Sequence, residues 1–284
     1  MKHYRWMKAE QGKAQAGMMW RSDLKEATED ATVDHLSTLR HNIASFPGEI
    51  GLAVRSDDGK EFFHQADAPW EPASVVKLLF LCAAYDTLDL DRRVTITKIE
   101  KAAGWGVLQF LKDSPTLSLR DLATLMIVIS DNVATDLILS HLPPETVDEL
   151  IRSRGLVGTS VRGGFRTSFQ PLAFSGKNIM TAGDTLTLLR YIRTRPELRA
   201  VLCQQQDKSI LHRYLPRGVA RFSKSGEGSN VRNDCGFVEW EGGGAIISLF
   251  SKLPEPIGTL ERLADTDSRL AHIAHAAYRW AREG

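Results

Sequence analysis

The order of the predicted secondary structure constrains the fold of this chain most, because β-rich segments lie near both ends and helical patterns fill the middle. Segments 49–55 and 61–65 flank Asp57-Asp58-Gly59, which is typical of a β-hairpin. Further β-rich segments follow at 219–226, 233–241 and 244–251, before a final helix over about 261–282. Strands from both ends can pair only around a packed insert, so the order predicts an α+β fold with one antiparallel sheet.

The middle of the chain shows helical periodicity and helix boundaries. From residue 71 onward apolar residues recur at helical spacing, and Val75, Leu78 and Cys82 share one face. The pairs Ser118-x-x-Asp121 and Thr181-x-x-Asp184 resemble capping boxes and predict two helix starts. Two of the expected helices cover about 119–130 and 132–142, and a third ends near Arg154, before Gly155. A fourth helix opens at Thr181 and a fifth begins at Pro196.

These patterns predict one structural domain with two lobes. We expect a polar, helical N-terminal segment over 1–45, an α/β lobe from 46–70 and 200–284, and an all-helical lobe from 71–199. Hydrophobic residues make up 43% of the 284 residues, which is enough to bury a sizeable core. The formal net charge is only +1 and no basic run with interleaved aromatics occurs, so we expect no nucleic-acid and no membrane partner. The expected assembly is a monomer or a weak oligomer.

The positions of the cysteines, histidines and apolar residues indicate in which compartment the protein resides and whether it binds a metal. Three cysteines are too few and too scattered for a disulfide framework, and Cys82 is expected to be a small core residue. The N-terminal residues lack the apolar stretch of a secretory leader, which predicts a cytoplasmic protein as written, or a periplasmic or secreted one if a leader was removed. Spacings such as H-x-x-E-H and C-x-x-C do not occur, so we expect no metal and no cofactor.

Three short motifs carry the candidate chemistry. Ser74-Val75-Val76-Lys77 has the pattern S-x-x-K, Ser130-Asp131-Asn132 is S-D-N, and Lys224-Ser225-Gly226 is K-[ST]-G. On a helix, Ser74 and Lys77 would share a face, which brings an amine near a hydroxyl. A serine hydroxyl needs a base to become a nucleophile, and a lysine can serve if burial or a nearby cation lowers its pKa. Lys224 is the candidate for that cation.

The remaining motif residues suit substrate binding and proton transfer. Ser130, at a predicted helix end, can pass a proton to a leaving nitrogen, and Asn132 can orient a substrate amide. Lys224 and Ser225 suit a substrate carboxylate, and Gly226 allows a bound acyl group to approach the strand backbone. The backbone N–H groups of Ser74 and Glu227 are candidates for an oxyanion hole. No histidine lies beside the motifs, so a Ser-His-Asp triad is not expected.

The three motifs, in this order, make the chain resemble the class A β-lactamases among the penicillin-recognising serine hydrolases, from about residue 46 to the end. The resemblance implies the β-lactamase/transpeptidase-like fold, with the active site where an α/β lobe meets an all-helical lobe. It also implies cleavage of a small-molecule amide or β-lactam through an acyl-Ser74 intermediate. Trp105 lies where the family tends to place an aromatic at the rim of the cleft, although a packing role is the alternative.

The chain departs from the family in the loop before the helix that opens at Thr181. The family's hydrolases carry a glutamate in this Ω-type loop, but no Asp or Glu occurs from Ile151 to Gly183. The loop instead holds Arg162, Gly163, Gly164, Phe165 and Arg166, and the later Asp184 fits a capping role. A less characterised branch of the family lacks the same glutamate. Deacylation is therefore expected to be slow.

A second departure lies after Gly226, where the family usually has a small residue. Glu227 is a substitute base, a filter against anionic substrates or a solvent-facing strand residue, and we favour the last. Arg232 binds a substrate carboxylate or forms an ion pair with Asp234. Two other functions remain open: a D,D-peptidase or penicillin-binding protein of the same fold, and a sensor that is acylated once and deacylates slowly.

Overall fold

The structure is a computed structural model that describes residues 34–96, 105–163 and 177–284. The α-helices of these ranges are α1 (His35–Ala44), α2 (Lys77–Thr87), α3 (Leu119–Val128), α4 (Asn132–His141), α5 (Thr146–Ser153), α6 (Ala182–Arg193), α7 (Pro196–Leu202) and α8 (Leu260–Glu283). The strands are β1 (Glu49–Ser56), β2 (Glu61–His64), β3 (Arg93–Thr95), β4 (Thr116–Ser118), β5 (Ala220–Glu227), β6 (Arg232–Trp240) and β7 (Gly243–Lys252).

The main sheet joins strands from both ends of the chain. Its five strands run in the order β2-β1-β7-β6-β5, and every neighbouring pair is antiparallel. β1 pairs with β7 from Glu49↔Lys252 to Ser56↔Ala245, so the first strand of the fold lies beside the last. The predicted α+β fold is confirmed, and β5, which carries the third motif, is an edge strand.

Two hydrophobic cores lie on opposite faces of the sheet. Successive side chains of a strand point to opposite faces. On β7, Ile247 and Leu249 therefore enter one core while Ile246 and Phe250 enter the other. The first core is closed by α1 and α8, and the second is continuous with the helices of the middle segment. The second core thus joins the sheet to the helices that carry the first two motifs.

The middle segment differs from the expected all-helical lobe in two respects. β3 and β4 form a separate two-stranded antiparallel sheet, whose three-residue strands are too short to show periodicity in the sequence. Helix α6 packs on the main sheet against β1, β6 and β7, because its buried face of Leu186, Leu189 and Ile192 meets the second core. The expected border at residue 199 therefore does not separate helices from the sheet.

The helix boundaries follow local capping. The side chain of Ser118 accepts from the Asp121 N–H and that of Asp121 from the Ser118 N–H, which is the predicted capping box of α3. Thr181 caps α6, and Gly155 follows α5 with φ +66°, a left-handed conformation that glycine adopts without strain. Helix α3 ends at Val128, two residues earlier than expected, and leaves Ser130 in a turn.

Three further expectations concern the termini and Cys82. Within the expected N-terminal segment, α1 packs on α8, and residues 1–33 lie outside the described residues. Cys82 is fully buried, as expected of a core residue. None of the helices that the structure describes is both long and apolar enough to cross a membrane.

Candidate active site

Ser74 lies on a tight turn that leads into α2. Residues Ala73–Val76 form a 3-10 helix, and Lys77 is the first residue of α2. The two residues of S-x-x-K thus belong to different helix types, although positions i and i+3 also align on a 3-10 helix. Ala73 has φ +45°, a strained conformation for a residue with a side chain, of the kind that clusters at functional sites.

Two strands hold this turn in place. A Cβ atom on Gly226 of β5 would lie 2.6 Å from the carbonyl oxygen of Pro72 and 3.2 Å from the Ser74 nitrogen. The third motif therefore needs glycine so that β5 can contact the backbone of the nucleophile turn. From β6, the buried Asn233 side chain donates to the carbonyl of Glu71 at 3.0 Å. The segment Arg232-Asn233-Asp234 thus contributes to placing Ser74.

Lys77 connects the first two motifs. Its side chain is fully buried, and Nζ donates to Ser130 Oγ at 3.1 Å, to the Ser130 carbonyl at 2.7 Å and to Asn132 Oδ1 at 2.8 Å. Asn132 thus orients the amine through its side-chain oxygen. This geometry places the amine against the hydroxyl that the sequence suggested as the proton donor.

Ser130 occupies a strained turn between α3 and α4. Its φ of +58° is uncommon for a residue other than glycine. The following Asp131 caps α4 by accepting from the Ala134 N–H at 2.9 Å, and it also accepts from the N–H groups of Val107 and Leu108. Asp131 therefore fixes both the Ser130 turn and the segment that follows Trp105.

Burial lowers the pKa values of both lysines, and a positive charge lowers each further: that of Lys224 acts on Lys77, and that of Arg232 acts on Lys224. The pKa of Lys77 lies well below its usual value, mainly because of burial and then because of the charge of Lys224. Burial lowers the pKa of Lys224 to about 8, while Asp207 and Asp234 act in the opposite direction. Both effects shift Lys77 towards the neutral amine, while the charges of Asp131 and Asp136 act in the opposite direction.

The motifs meet in one cavity of about 320 Å³. It is lined by Ser74, Trp105, Val128, Ile129, Ser130, Gln205, Gln206, Asp207, Ser225, Glu227 and Arg232. Each of the three motifs contributes a serine, and Lys77 lies behind Ser130. Lys224 is fully buried and donates to the carbonyl of Ser225 at 2.7 Å.

The cavity has an apolar wall that ends in an exposed aromatic. Val128 and Ile129 lie on this wall, and Trp105, which also lines the cavity, is 57% exposed. Its carbonyl accepts from the Asn132 N–H at 3.1 Å, so the rim is tied to the second motif.

Arg232 forms ion pairs that differ from those expected. The predicted pair with Asp234 is wrong, because Arg232 makes two hydrogen bonds to Asp267 of α8, at 2.7 and 2.8 Å, and one to Glu227 at 2.9 Å. Asp234 instead accepts from the Leu211 N–H at 2.9 Å, and burial raises its pKa to about 7. The preferred solvent-facing role of Glu227 is also corrected, since its half-buried carboxylate is paired with Arg232 and lines the cavity.

Sequence reasoning missed one wall of the cavity. Gln205, Gln206 and Asp207 lie between α7 and β5 in a segment without a motif. Asp207 accepts from the N–H and the hydroxyl of Ser209, which is an ordinary turn contact that gives no signal of function in the sequence.

Asp184 has a structural role near the Ω-type loop. Its carboxylate accepts from the Gly158 N–H and the Thr159 hydroxyl, both at 2.8 Å, and it is not among the described residues that line the cavity. Asn178 accepts from the N–H groups of Arg162 and Gly163 at the base of the loop. Gly164, Phe165 and Arg166 lie outside the described residues.

The five-stranded antiparallel sheet and the helices that meet at this cavity have the β-lactamase/transpeptidase-like fold. The chain belongs to the Beta-lactamase enzyme family, whose profile matches residues 35–281. A search for similar curated sequences found no match.

Solved structures agree with this assignment. The structure of a β-lactamase from Sphaerobacter thermophilus is 26% identical, with a TM-score of 0.75, and the match covers 87% of this chain and 96% of that one. A class A β-lactamase from Mycobacterium abscessus is 18% identical, with a TM-score of 0.72 and coverage of 86% and 98%. PBP-A is 22% identical, with a TM-score of 0.73 and coverage of 87% and 95%. The last two support the fold alone.

Proposed function

We propose that the protein is a β-lactamase-like serine hydrolase that cleaves an amide or β-lactam bond through an acyl-Ser74 intermediate. The observation that carries this proposal is that Ser74, Ser130 and Ser225 line one cavity, where Lys77 Nζ donates a hydrogen bond to Ser130 Oγ. Family membership supports it, because the fold is one that hosts this chemistry.

Acylation follows from the positions of the proton carriers. Ser74 Oγ attacks the substrate carbonyl carbon while its proton passes to the neutral amine of Lys77. The carbonyl oxygen takes the electron pair, and the N–H groups of Ser74 and Glu227 are its proposed donors. When the C–N bond breaks, the leaving nitrogen takes a proton from Ser130, which recovers one from Lys77. The products are an ester on Ser74 and a free amine.

Lys224 makes this acylation sensitive to pH. The ammonium of Lys224 lowers the pKa of Lys77, so the Lys77 amine stays neutral down to a lower pH. We therefore expect the acylation rate to fall at acidic pH as Lys77 becomes protonated, and in Lys224→Met, which removes this charge, the fall should begin at a higher pH. Lys224→Arg keeps the positive charge and should keep the acidic limb near its wild-type position. An acidic limb at the wild-type pH in folded Lys224→Met, measured by stopped-flow acylation, would assign it to another group.

Deacylation lacks an evident base. Among the described residues, the acids that line the cavity are Asp207 and Glu227, and both accept hydrogen bonds from protein groups. The acyl-enzyme should therefore persist.

With a chromogenic β-lactam we expect a burst of about one product per enzyme, followed by a slow steady phase. Stopped-flow absorbance measures both phases. A fast linear course without a burst would contradict slow deacylation. If a steady phase occurs, Glu227→Gln tests whether Glu227 activates water.

A D,D-peptidase is the second candidate, supported by the absence of an acid from Ile151 to Gly183. The fold shared with PBP-A is compatible with it. One PBP-A structure contains an acyl-enzyme complex with penicillin G. Release of D-alanine from a D-Ala-D-Ala peptide would favour this candidate. A sensor that is acylated once would show neither peptide cleavage nor repeated turnover.

A further inference from the structure

The guanidinium group of Arg232, at one end of the cavity, forms its hydrogen bonds with other groups of the protein. Each nitrogen of Arg232 donates to a protein acceptor: Nε and Nη2 to Asp267, Nη1 to Glu227, and Nη2 also to Ser209 at 2.8 Å. A second Nη1 contact, to Asp207, measures 3.7 Å. Arg232 is only 3% exposed, and it lines the cavity beside its partners Glu227 and Asp207.

The sheet register fixes this arrangement. Glu227 is the last residue of β5 and is directly paired with Arg232, the first residue of β6. Directly paired residues of antiparallel strands bring their side chains together and favour opposite charges. Glu227 also follows Gly226, whose backbone contacts the nucleophile turn, and it lines the same cavity as Ser74.

Acids outnumber cations at this end of the cavity. Asp207, Glu227 and Asp267 surround the guanidinium of Arg232, and Asp207 also interacts with the ammonium of the buried Lys224, the second cation. A substrate carboxylate would have to displace Glu227 from Arg232 and would meet like charges. A neutral group meets neither obstacle, and the opposite wall of Trp105, Val128 and Ile129 suits an apolar substituent.

We infer that Glu227 is a specificity-determining residue that holds Arg232 in an ion pair, so that the site takes amide or ester substrates without a carboxylate at this end and rejects anionic ones. This inference rests on the proposed acylation of Ser74, and it names the substrate class of that reaction.

Benzylpenicillin and its methyl ester test the inference, because they share the lactam and differ in one charge. Intact-protein mass spectrometry measures the rate at which each one acylates the protein. We expect the ester to acylate the wild type about ten-fold faster or more, since like charge penalises the acid. In Glu227→Gln, which keeps the shape of the side chain and removes its charge, the acid should gain about ten-fold relative to the ester. Glu227→Ala, which also removes the amide that could still contact Arg232, should shift the ratio in the same direction.

A matched control removes an acid far from the cavity. Glu61 of β2 pairs with Arg55 at the opposite edge of the sheet, and Glu61→Gln should keep the wild-type ratio. A ratio of two rates on one protein sample is insensitive to partial unfolding, so a merely structural role of Glu227 would leave it unchanged.

The outcomes separate the inference from the proposed function. Acylation of the wild type by both compounds with a preference for the acid would overturn the inference alone, and so would an unchanged ratio in both Glu227 variants. The absence of any adduct on Ser74 with either compound would overturn the proposed function and the inference with it.

Discussion

Ser74→Ala is expected to abolish covalent labelling by β-lactams and to lower the rate of substrate cleavage by more than about a thousand-fold. The alanine lacks the oxygen that forms the ester, and the remaining groups of the cavity can only bind and polarise the substrate. Mass spectrometry of the intact protein after incubation with penicillin shows the loss directly. Because Ser74 is small and its neighbours are unchanged, we expect the free energy of unfolding to change by less than about 1 kcal/mol.

Ser140→Ala is the matched control, because this serine lies exposed near the end of α4 and bonds the carbonyl of Leu137. We expect β-lactams to label Ser140→Ala to the same extent as the wild type. Peptide mapping of the adduct is essential, since Ser130 and Ser225 line the same cavity. Persistent labelling of Ser74→Ala at either of these residues would show that the nucleophile has been assigned wrongly.

The sheet and most helices could be predicted because their signals are local. Hairpin residues, capping pairs and apolar periodicity each act within a few residues, and they define β1, β2, α3, α6 and α8 to within about four residues. The order of the elements then restricts the topology, because strands from both ends must meet. The three motifs could be assigned to one site only through the family resemblance, since no local rule joins Ser74 to Lys224.

The electrostatics of the site depends on the folded structure. Glu227 contacts Arg232 because of the β5–β6 register, and Arg232 contacts Asp267 because α8 packs near the end of β6. The second contact joins residues 35 positions apart and leaves no pattern in the chain. The sequence therefore allowed an Arg232–Asp234 pair as readily as the observed ones.

The pKa of Lys77 also depends on features that no short segment contains. Its decrease results from complete burial and from Lys224 on a distant strand. The left-handed conformations of Ala73 and Ser130 are likewise not determined by the local sequence, because neither residue type favours them. Strain of this kind is maintained by surrounding contacts, here those from Gly226 and Asp131.

Lys77→Met is expected to lower the acylation rate by about a hundred- to ten thousand-fold, which is the range that general base catalysis contributes. Methionine has nearly the length of lysine but no amine. The variant therefore lacks the group that accepts the proton of Ser74 and returns one to Ser130. The hydrogen bonds from Nζ to Ser130 and Asn132 are lost as well, and two buried acceptors lose a partner. Each such loss costs about 1–3 kcal/mol, so circular dichroism must show that the variant is folded.

Lys77→Arg distinguishes a base from a fixed positive charge. The guanidinium retains donors for Ser130 and Asn132, but it does not give up a proton at accessible pH. If Lys77 acts as the base, the arginine variant should be about as slow as the methionine variant, whereas a purely electrostatic role predicts substantial activity with arginine. Lys252→Met, at an exposed position at the end of β7, is the control for loss of a lysine and should leave the rate unchanged. Acylation of a folded Lys77→Met protein at the wild-type rate would mean that another group accepts the Ser74 proton, and the mechanism would then have to pass through Ser130 alone.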